Sequence, residues 1–305
     1  MIGTLTLYSS LPNDWHYLLA DTSSYTSNVV NIQYSSSLAS GAPNNEATGT
    51  LQNRAANTKV YNINLKNTYG AGSQAGAISA YNTQQSYYGV GFYGYQDTIL
   101  AQTGNQLYAK CYIQGATDFI YGQHARAWFD GCDIRVSGKG YVTANGRADS
   151  SDVSYYVINK SSVDVSGGST AAAGSTYLGR PWTQYARVCF QKTVLGAVIN
   201  RAGWAQWSSS TPNTGGVTFQ EVCHQTILTH IGNTYNFGLI KDNTNPKQYG
   251  NTGTGASGTR AGFSKKLSSA LTIADILGSS YKNWVDTSYL AAVWSTQGML
   301  WRNKI

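Results

Sequence analysis

The chain has 305 residues, which allows one elongated domain or two smaller ones. Only 11% of the residues are charged. The chain contains 33 glycines, 23 tyrosines and 8 tryptophans but only 5 prolines, a composition typical of many short strands joined by turns. The net charge of +7 favours a polyanionic partner such as nucleic acid, an acidic membrane face or an acidic polysaccharide. No apolar run reaches the roughly 18 residues that a membrane helix needs. The four cysteines show no metal-ligand spacing, so we expect no metal site.

Short alternating strands fill the middle of the chain, each bounded by Gly, Asn, Ser or Asp. The predicted strands are 60–67, 90–95, 107–115, 127–136, 156–165 and 188–195. Such runs occur in β-sandwiches as well as in β-helices, so the strands alone leave both folds open.

A repeat favours the β-helix. An offset of 21 positions separates residues of unrelated type: Phe92 from Ile113, Ile113 from Ile134, Asp97 from Asp118 and Cys111 from Cys132. One strand per period suits a coil of a parallel β-helix, in which residues one period apart stack about 4.8 Å from each other. Cys111 and Cys132 are then expected to be stacked thiols rather than a disulfide. A chance coincidence within a β-sandwich is the alternative.

Amides and carboxylates follow the same period. Gln74 is followed at +22 by Gln96, next to Asp97, and Asp118 comes 21 positions later. Two carboxylates on neighbouring coils cannot both ionise freely, so we expect one acid with a raised pKa and one ionised nucleophile. The glutamines can donate to an oxyanion, a contribution of about 3 kcal/mol per donor in acyl transfer. An Asp in such a fold can also simply cap a turn.

Three segments resemble the signature segments of the pectin methylesterases, in the same order: GYQDTIL (94–100), GATDFIYGQ (115–123) and LGRPW (178–182). The segments at 55–68, 203–207 and 249–260 also fit, the last with a fungal character, and the resemblance covers about 22–221 and 249–290. The resemblance implies a right-handed parallel β-helix and a secreted enzyme that hydrolyses the methyl esters of polygalacturonan.

The resemblance also implies roles for individual residues. These are Asp118 as nucleophile, Asp97 as general acid and then base, Gln96 and Gln74 as oxyanion donors, Arg180 as the residue that orients Asp118 and keeps it ionised, Trp182 as a sugar platform, and Phe119 and Tyr121 as weaker substrate contacts. No metal or organic cofactor is implied. Arg180 can instead form an ordinary structural ion pair, and the aromatic residues can instead fill or cover the core.

The implied partner is methyl-esterified homogalacturonan outside the cell, with no nucleic acid, no membrane and a monomeric state. Of four histidines only His124 lies in the matched region, which argues against a Ser-His-Asp or Cys-His mechanism.

Two alternative functions remain. Paired carboxylates about 5 Å apart also suit a pectin-cleaving retaining glycosidase, and an interrupted chain can be a non-catalytic or inactive pectin-binding product.

We interpret residues 1–305 as a single domain with three departures from the family pattern. The first coil is missing before Met1, and there is no export signal in the chain as given. Residues 222–248 interrupt VTFQE and YGNTG, which suggests a retained intron, with a genuine surface loop as the alternative. Residues 291–305 run past the expected end of the family pattern.

Overall fold

The computed structural model describes residues 5–7, 16–20, 24–222 and 250–290. The predicted insertion, apart from Val222, and the predicted tail at 291–305 lie outside the described residues, as does Cys223. Between the described residues, the strands form two sheets with parallel pairing throughout.

The nine-stranded sheet consists, in order across the sheet, of β2 (His16–Leu19), β5 (Thr58–Tyr61), β8 (Gln85–Tyr88), β11 (Thr103–Ala109), β13 (His124–Asp130), β15 (Tyr155–Asn159), β18 (Arg187–Gln191), β20 (Thr218–Val222) and β21 (Ser264–Leu267). The twelve-stranded sheet consists of β1 (Leu5–Leu7), β3 (Asn31–Tyr34), β4 (Leu51–Asn53), β6 (Asn64–Asn67), β7 (Ile78–Ala80), β9 (Gly91–Tyr93), β10 (Ile99–Ala101), β12 (Tyr112–Gly122), β14 (Asp133–Asn145), β16 (Ser162–Val165), β17 (Thr176–Gly179) and β19 (Val194–Leu195).

The twelve-stranded sheet contains two ladders that share its long strands. The first half of β12 pairs with β9, and its second half pairs with β10; the first half of β14 pairs with β16, and its second half with β17. Each coil therefore contributes to three parallel ladders, one in the nine-stranded sheet and two in the twelve-stranded sheet. This is the architecture of a parallel β-helix.

The predicted period of 21 is confirmed by the strand register. Phe92 pairs with Ile113 and Ile113 with Ile134, and all three side chains are completely buried. Aromatic rings stack in the same way inside the nine-stranded sheet, where Tyr108 and Phe129 have ring centroids 4.5 Å apart. The coils thus bury a continuous apolar column, and the β-sandwich alternative is wrong.

The predicted strands differ from the observed ones in one regular respect. Most of the predicted runs are in fact two strands joined by a sharp corner, at which one residue has a positive φ. The corner residues within these runs are Asn62, Lys110, Gly131, Lys160 and Lys192, and Gly89 forms the same corner just before the run 90–95. A single residue in the left-handed region turns the backbone without interrupting the inward-outward alternation on either side, so the pattern of apolar residues does not reveal it.

The cysteines were predicted correctly within the described residues. Cys111, Cys132 and Cys189 are free and buried. The thiols of Cys111 and Cys132 donate to the carbonyls of Tyr87 and Tyr108, at 3.3 and 3.2 Å, from equivalent positions of consecutive coils. Burial raises the pKa of Cys132 well above its usual value, so this thiol is an inert core residue.

The segment after β21 covers the outer face of the nine-stranded sheet. It contains the helix α1 (Ile273–Leu277), which begins with a capping box between Thr272 and Asp275, and the 3₁₀ turns Ser279–Asn283 and Thr287–Tyr289. Two further 3₁₀ turns described between the strands, Tyr25–Ser27 and Glu46–Thr48, precede β3 and β4, and a third, Thr254–Ala256, precedes β21. No helix in the described part of the chain is long and apolar enough to cross a bilayer.

Candidate active site

The two predicted aspartates lie at equivalent positions of consecutive coils. The backbone N–H of Asp97 donates to the carbonyl of Thr117 at 3.2 Å, and Ile99 pairs with Ile120 two residues after each aspartate. Asp97 has a φ of 64° and Asp118 a φ of 50°, values that are uncommon for residues other than glycine. The fold therefore holds the backbones of the two aspartates one strand spacing apart, about 4.8 Å, in the same conformation.

A β-bulge in β12 determines where Asp118 points. Thr117 pairs with Tyr141 and Ile120 with Thr143, so three steps along β12 match two steps along β14. Asp118 lies within this irregularity. Bulges redirect side chains and are frequent beside active sites, and here the extra residue lets Asp118 face outward while the next side chain enters the core.

Phe119 is that next side chain, and its predicted substrate contact is wrong. Its exposed fraction is 0%, and it belongs to the main hydrophobic core. A ring in this position has no surface for a polysaccharide; its packing instead fixes the backbone on which Asp118 stands.

Arg180 binds Asp118 with a two-pronged contact. Nε of Arg180 lies 3.0 Å from Oδ1 of Asp118, and Nη2 lies 2.6 Å from Oδ2. The guanidinium carbon of Arg180 is 4.1 Å from the ring centroids of both Tyr141 and Trp207, so two aromatic rings hold the cation in place. Arg180 directly follows β17. This strand pairs with the second half of β14, which in turn pairs with the part of β12 that contains Asp118.

Burial changes the acidity of both aspartates. It raises the pKa of Asp97 well above its usual range; the charge of Asp118 raises it further, and Arg180 opposes the shift. Burial also raises the pKa of Asp118, but the hydrogen bonds and charge of Arg180 lower it in part. The expectation that one of the two pKa values stays low is therefore corrected. Both pKa values are raised, and because Arg180 binds Asp118 and not Asp97, the pKa of Asp97 is raised further than that of Asp118.

Gln96 stands next to Asp97, and Gln74 extends the site to a third coil. The backbone N–H of Ala75 donates to the carbonyl of Gln96 at 3.1 Å, and Gln96 forms an isolated bridge with Thr117. Oε1 of Gln74 accepts from Ser73 at 3.3 Å. Among the described residues no acceptor binds Nε2 of either glutamine, so both amides can donate to a ligand.

Asn45 is a site residue that the sequence analysis missed. Its Nδ2 atom donates to Oδ2 of Asp97 at 3.3 Å, from the residue that precedes the 3₁₀ turn Glu46–Thr48. The turn is anchored by an ion pair between Glu46 and Arg54, with 2.5 Å between the charged atoms. Asn45 is 52 positions from Asp97, more than two coils away, and does not follow the period of 21.

An aromatic surface lies beside the aspartates on the same face. Leu100, Tyr121 and Ala144 form a small buried cluster, against which Trp182 and Trp207 pack in partly exposed positions. Tyr121 is only 3% exposed, with a ring centroid 6.2 Å from that of Trp182. Tyr121 therefore supports Trp182 from beneath, a correction to its predicted direct contact, and Trp182 offers the accessible ring.

Comparisons with known proteins agree with this site. Residues 23–230 match the family profile described as Pectinesterase. A pectinesterase of Aspergillus niger is 51% identical over 274 residues, covering 88% of this chain and 74% of that protein. A pectinesterase of Aspergillus aculeatus is 48% identical over 293 residues, covering 95% of this chain and 78% of that protein.

Solved structures give the same result. A crystal structure of the pectin methylesterase from Aspergillus niger is 32% identical with a TM-score of 0.75, covering 94% of this chain and 82% of that one. The pectin methylesterase from carrot is 25% identical with a TM-score of 0.73, covering 90% and 80%. Fold and site thus define a carboxylic ester hydrolase built on a right-handed parallel β-helix. The chain belongs to the pectinesterase family.

Proposed function

We propose that this protein hydrolyses the methyl esters of homogalacturonan by a two-step mechanism in which Asp118 is the nucleophile and Asp97 the general acid and base. The observation that carries the proposal is the unequal environment of the two stacked aspartates. Asp118 is bound by Arg180 through two hydrogen bonds, whereas Asp97 forms no ion pair with any described residue and has a pKa raised well above its usual range. One group is thus prepared as an anion and the other as an acid.

In the first step, an oxygen of Asp118 attacks the carbonyl carbon of the ester. The negative charge that develops on the carbonyl oxygen is stabilised by the amide donors of Gln74 and Gln96, which stand on the same face. When the C–O bond to the methoxy group breaks, Asp97 gives its proton to the leaving oxygen. Methanol departs, and the acyl group remains on Asp118.

In the second step, Asp97 is ionised and removes a proton from a water molecule as that water attacks the acyl carbon. The bond to Asp118 breaks, and Arg180 again binds the released carboxylate. The galacturonate product loses its proton to solvent, Asp97 regains the proton of the water, and the net change is one ester and one water converted to one acid and one methanol. No step requires a metal or an organic cofactor.

Trp182 is proposed as the sugar platform, because it exposes a ring over Tyr121 on the face that carries the aspartates. Apolar faces of sugar rings stack on such aromatic side chains, and a polymer can lie along an open face. The partner is therefore methyl-esterified homogalacturonan, and since this polymer is part of plant cell walls, the place of action is extracellular.

Methanol release from highly methylated pectin tests the proposal. The parent protein should release methanol without new reducing ends, and Asp118→Asn should lose activity by at least about 10⁴-fold while it binds pectin almost normally, because an amide is a poor nucleophile. Activity of Asp118→Asn within tenfold of the parent would contradict the assignment. Formation of reducing ends without methanol would instead support a glycosidase, and pectin binding without either product would support a non-catalytic binder.

A further inference from the structure

A polar cavity lies at the corner where β11 and β13 begin, after the active-site face. It has a volume of about 370 Å³ and is lined by residues of four consecutive coils, among them Thr83, Thr103, His124, Arg126 and Asp152. Thr103 and His124 are the first residues of β11 and β13 and pair with each other. The cavity is therefore part of the regular β-helix and not of a long loop.

The cavity stands on the same two coils as the catalytic aspartates. Thr103 follows Asp97 by six positions, and His124 follows Asp118 by six. Six residues span at most about 20 Å. Between the two sites lie Trp182 and its supporting cluster, followed by a hydrogen-bonded pair in which Nε2 of Gln102 donates to Oε1 of Gln123 at 3.1 Å. A polymer that leaves the aspartates across this surface reaches the cavity.

Arg126 supplies an unpaired positive charge in the cavity. Its Nε donates to Oδ1 of Asn105 at 2.9 Å, and Asn105 is itself held by a bond from its Nδ2 to the carbonyl of Leu277 at 3.3 Å. Within the described part of the chain, Nη1 and Nη2 of Arg126 have no hydrogen-bond partner and no carboxylate at ion-pair distance. The side chain is thus fixed at Nε while its two terminal donors stay available.

The one carboxylate that lines the cavity does not neutralise Arg126. Oδ2 of Asp152 lies 2.6 Å from Nδ1 of His124, and Oδ1 accepts the backbone N–H of Ser154 at 2.7 Å. Both oxygens are therefore engaged elsewhere. Thr103 adds a neutral polar side chain to the lining of the cavity.

We propose that this cavity binds the carboxylate of a de-esterified galacturonate unit, with Arg126 as the carboxylate-binding residue. The inference rests on the proposed function, which supplies that ligand: each hydrolysis replaces an uncharged methyl ester by an anion. A guanidinium with two free parallel donors matches a carboxylate and has no charge to pair with in the ester. The site therefore retains product units and distinguishes them from unreacted ones.

Isothermal titration with trigalacturonate, and with its trimethyl ester, tests the site; every protein titrated, the parent reference included, carries Asp118→Asn so that the ester is not hydrolysed during the measurement. Arg126→Gln should raise the Kd for trigalacturonate about fivefold, the scale of a partly exposed charged contact, and leave the Kd for the ester unchanged. Lys266→Gln is the matched control, because it removes the same charge from β21, four strands further along the same sheet, and should change neither value by more than about twofold. Equal binding by the parent and Arg126→Gln, or an equal loss in Lys266→Gln, would overturn the proposal.

A second measurement observes the cavity directly. Trigalacturonate added to Asp118→Asn, which does not hydrolyse the ester, should shift the imidazole NMR signals of His124, identified by their loss when His124→Gln is introduced, and the trimethyl ester should not; unshifted signals at saturation would overturn the proposal. Initial methanol release from highly methylated pectin should be equal in the parent and Arg126→Gln. A parent that releases no methanol would contradict the proposed function, while the titration would still decide whether the cavity binds the acid.

Discussion

Asp97 and Asp118 adopt the same left-handed backbone conformation at equivalent positions of consecutive coils, with φ values of 64° and 50°. Neither residue is a glycine, so each position carries local strain, of order 1–3 kcal/mol. The surrounding ladders impose this conformation, since the strands that follow both residues pair in register. Strain and burial at this pair indicate that the site costs folding free energy, as expected where residues are arranged for chemistry rather than for stability.

Asp97→Asn should stabilise the protein at neutral pH while abolishing methanol release. Burial raises the pKa of Asp97 well above its unfolded value of about 3.9. The stability that the protonated form contributes is complete below that unfolded pKa and is lost as the pH rises through the folded pKa. Asparagine is never charged and tolerates the left-handed region, so we expect a gain of about 1–2 kcal/mol at pH 8 that disappears toward pH 4.

Denaturant unfolding of the parent and Asp97→Asn at pH 4, 6 and 8 measures this difference. Asp164→Asn, an exposed aspartate at the end of β16, serves as a control for the loss of one negative charge. A variant that is less stable than the parent at pH 8 would show that ionised Asp97 stabilises the fold.

Asn45→Ala should slow the reaction and shift its pH dependence. Asn45 donates to Oδ2 of Asp97 and so favours the ionised carboxylate; without this donor the pKa of Asp97 rises further. We expect kcat to fall about tenfold, the effect of losing one hydrogen bond to a charged group, and the basic limb of kcat/KM to move to higher pH. The matched control is Asn44→Ala, which removes the neighbouring 2.9 Å bond from the N–H of Ala47 without touching Asp97. Equal effects in both variants would assign Asn45 a purely structural role.

Much of this arrangement was predictable from the sequence, and the reason is periodicity. A β-helix converts an offset of 21 positions into a stack, so Asp97 and Asp118, or Phe92 and Ile113, are neighbours in space because of their spacing. Asn45 was missed because it reaches Asp97 from a turn outside the period. The burial of Phe119 was missed because the bulge at Asp118 reverses the expected alternation of side chains.

Arg180→Lys should reduce kcat on the order of 10²-fold, the scale seen when a positioned electrostatic contact is lost. An ammonium group cannot reproduce the two parallel bonds to Asp118, nor the planar packing between the rings of Tyr141 and Trp207. Because the charge is retained, the KM should change less than kcat. Steady-state methanol release, with circular dichroism to verify folding, gives both values, and an unchanged kcat would mean that the contact is structural.

The last prediction concerns the predicted insertion, which lies outside the described residues, and it rests on the residues that flank it. The backbone N–H of Asn251 donates to the carbonyl of Val222 at 3.1 Å. If residues 223–248 are removed, Val222, Tyr249, Gly250 and Asn251 become consecutive, and this bond becomes the closing bond of a β-turn with glycine at its third position. Val222 is 1% exposed, so the junction should retain it.

We therefore expect the variant that lacks residues 223–248 to fold with a melting temperature equal to or above that of the parent. Its methanol release should also be retained, because Asn251 keeps its bond from Nδ2 to the carbonyl of Phe190 and the coil below it is unchanged. The matched control is a deletion shifted by two residues, 225–250, which removes the glycine of the turn and should lower stability. A loss of several kcal/mol in the 223–248 deletion, measured by denaturant unfolding, would show that the segment is an integral part of the fold.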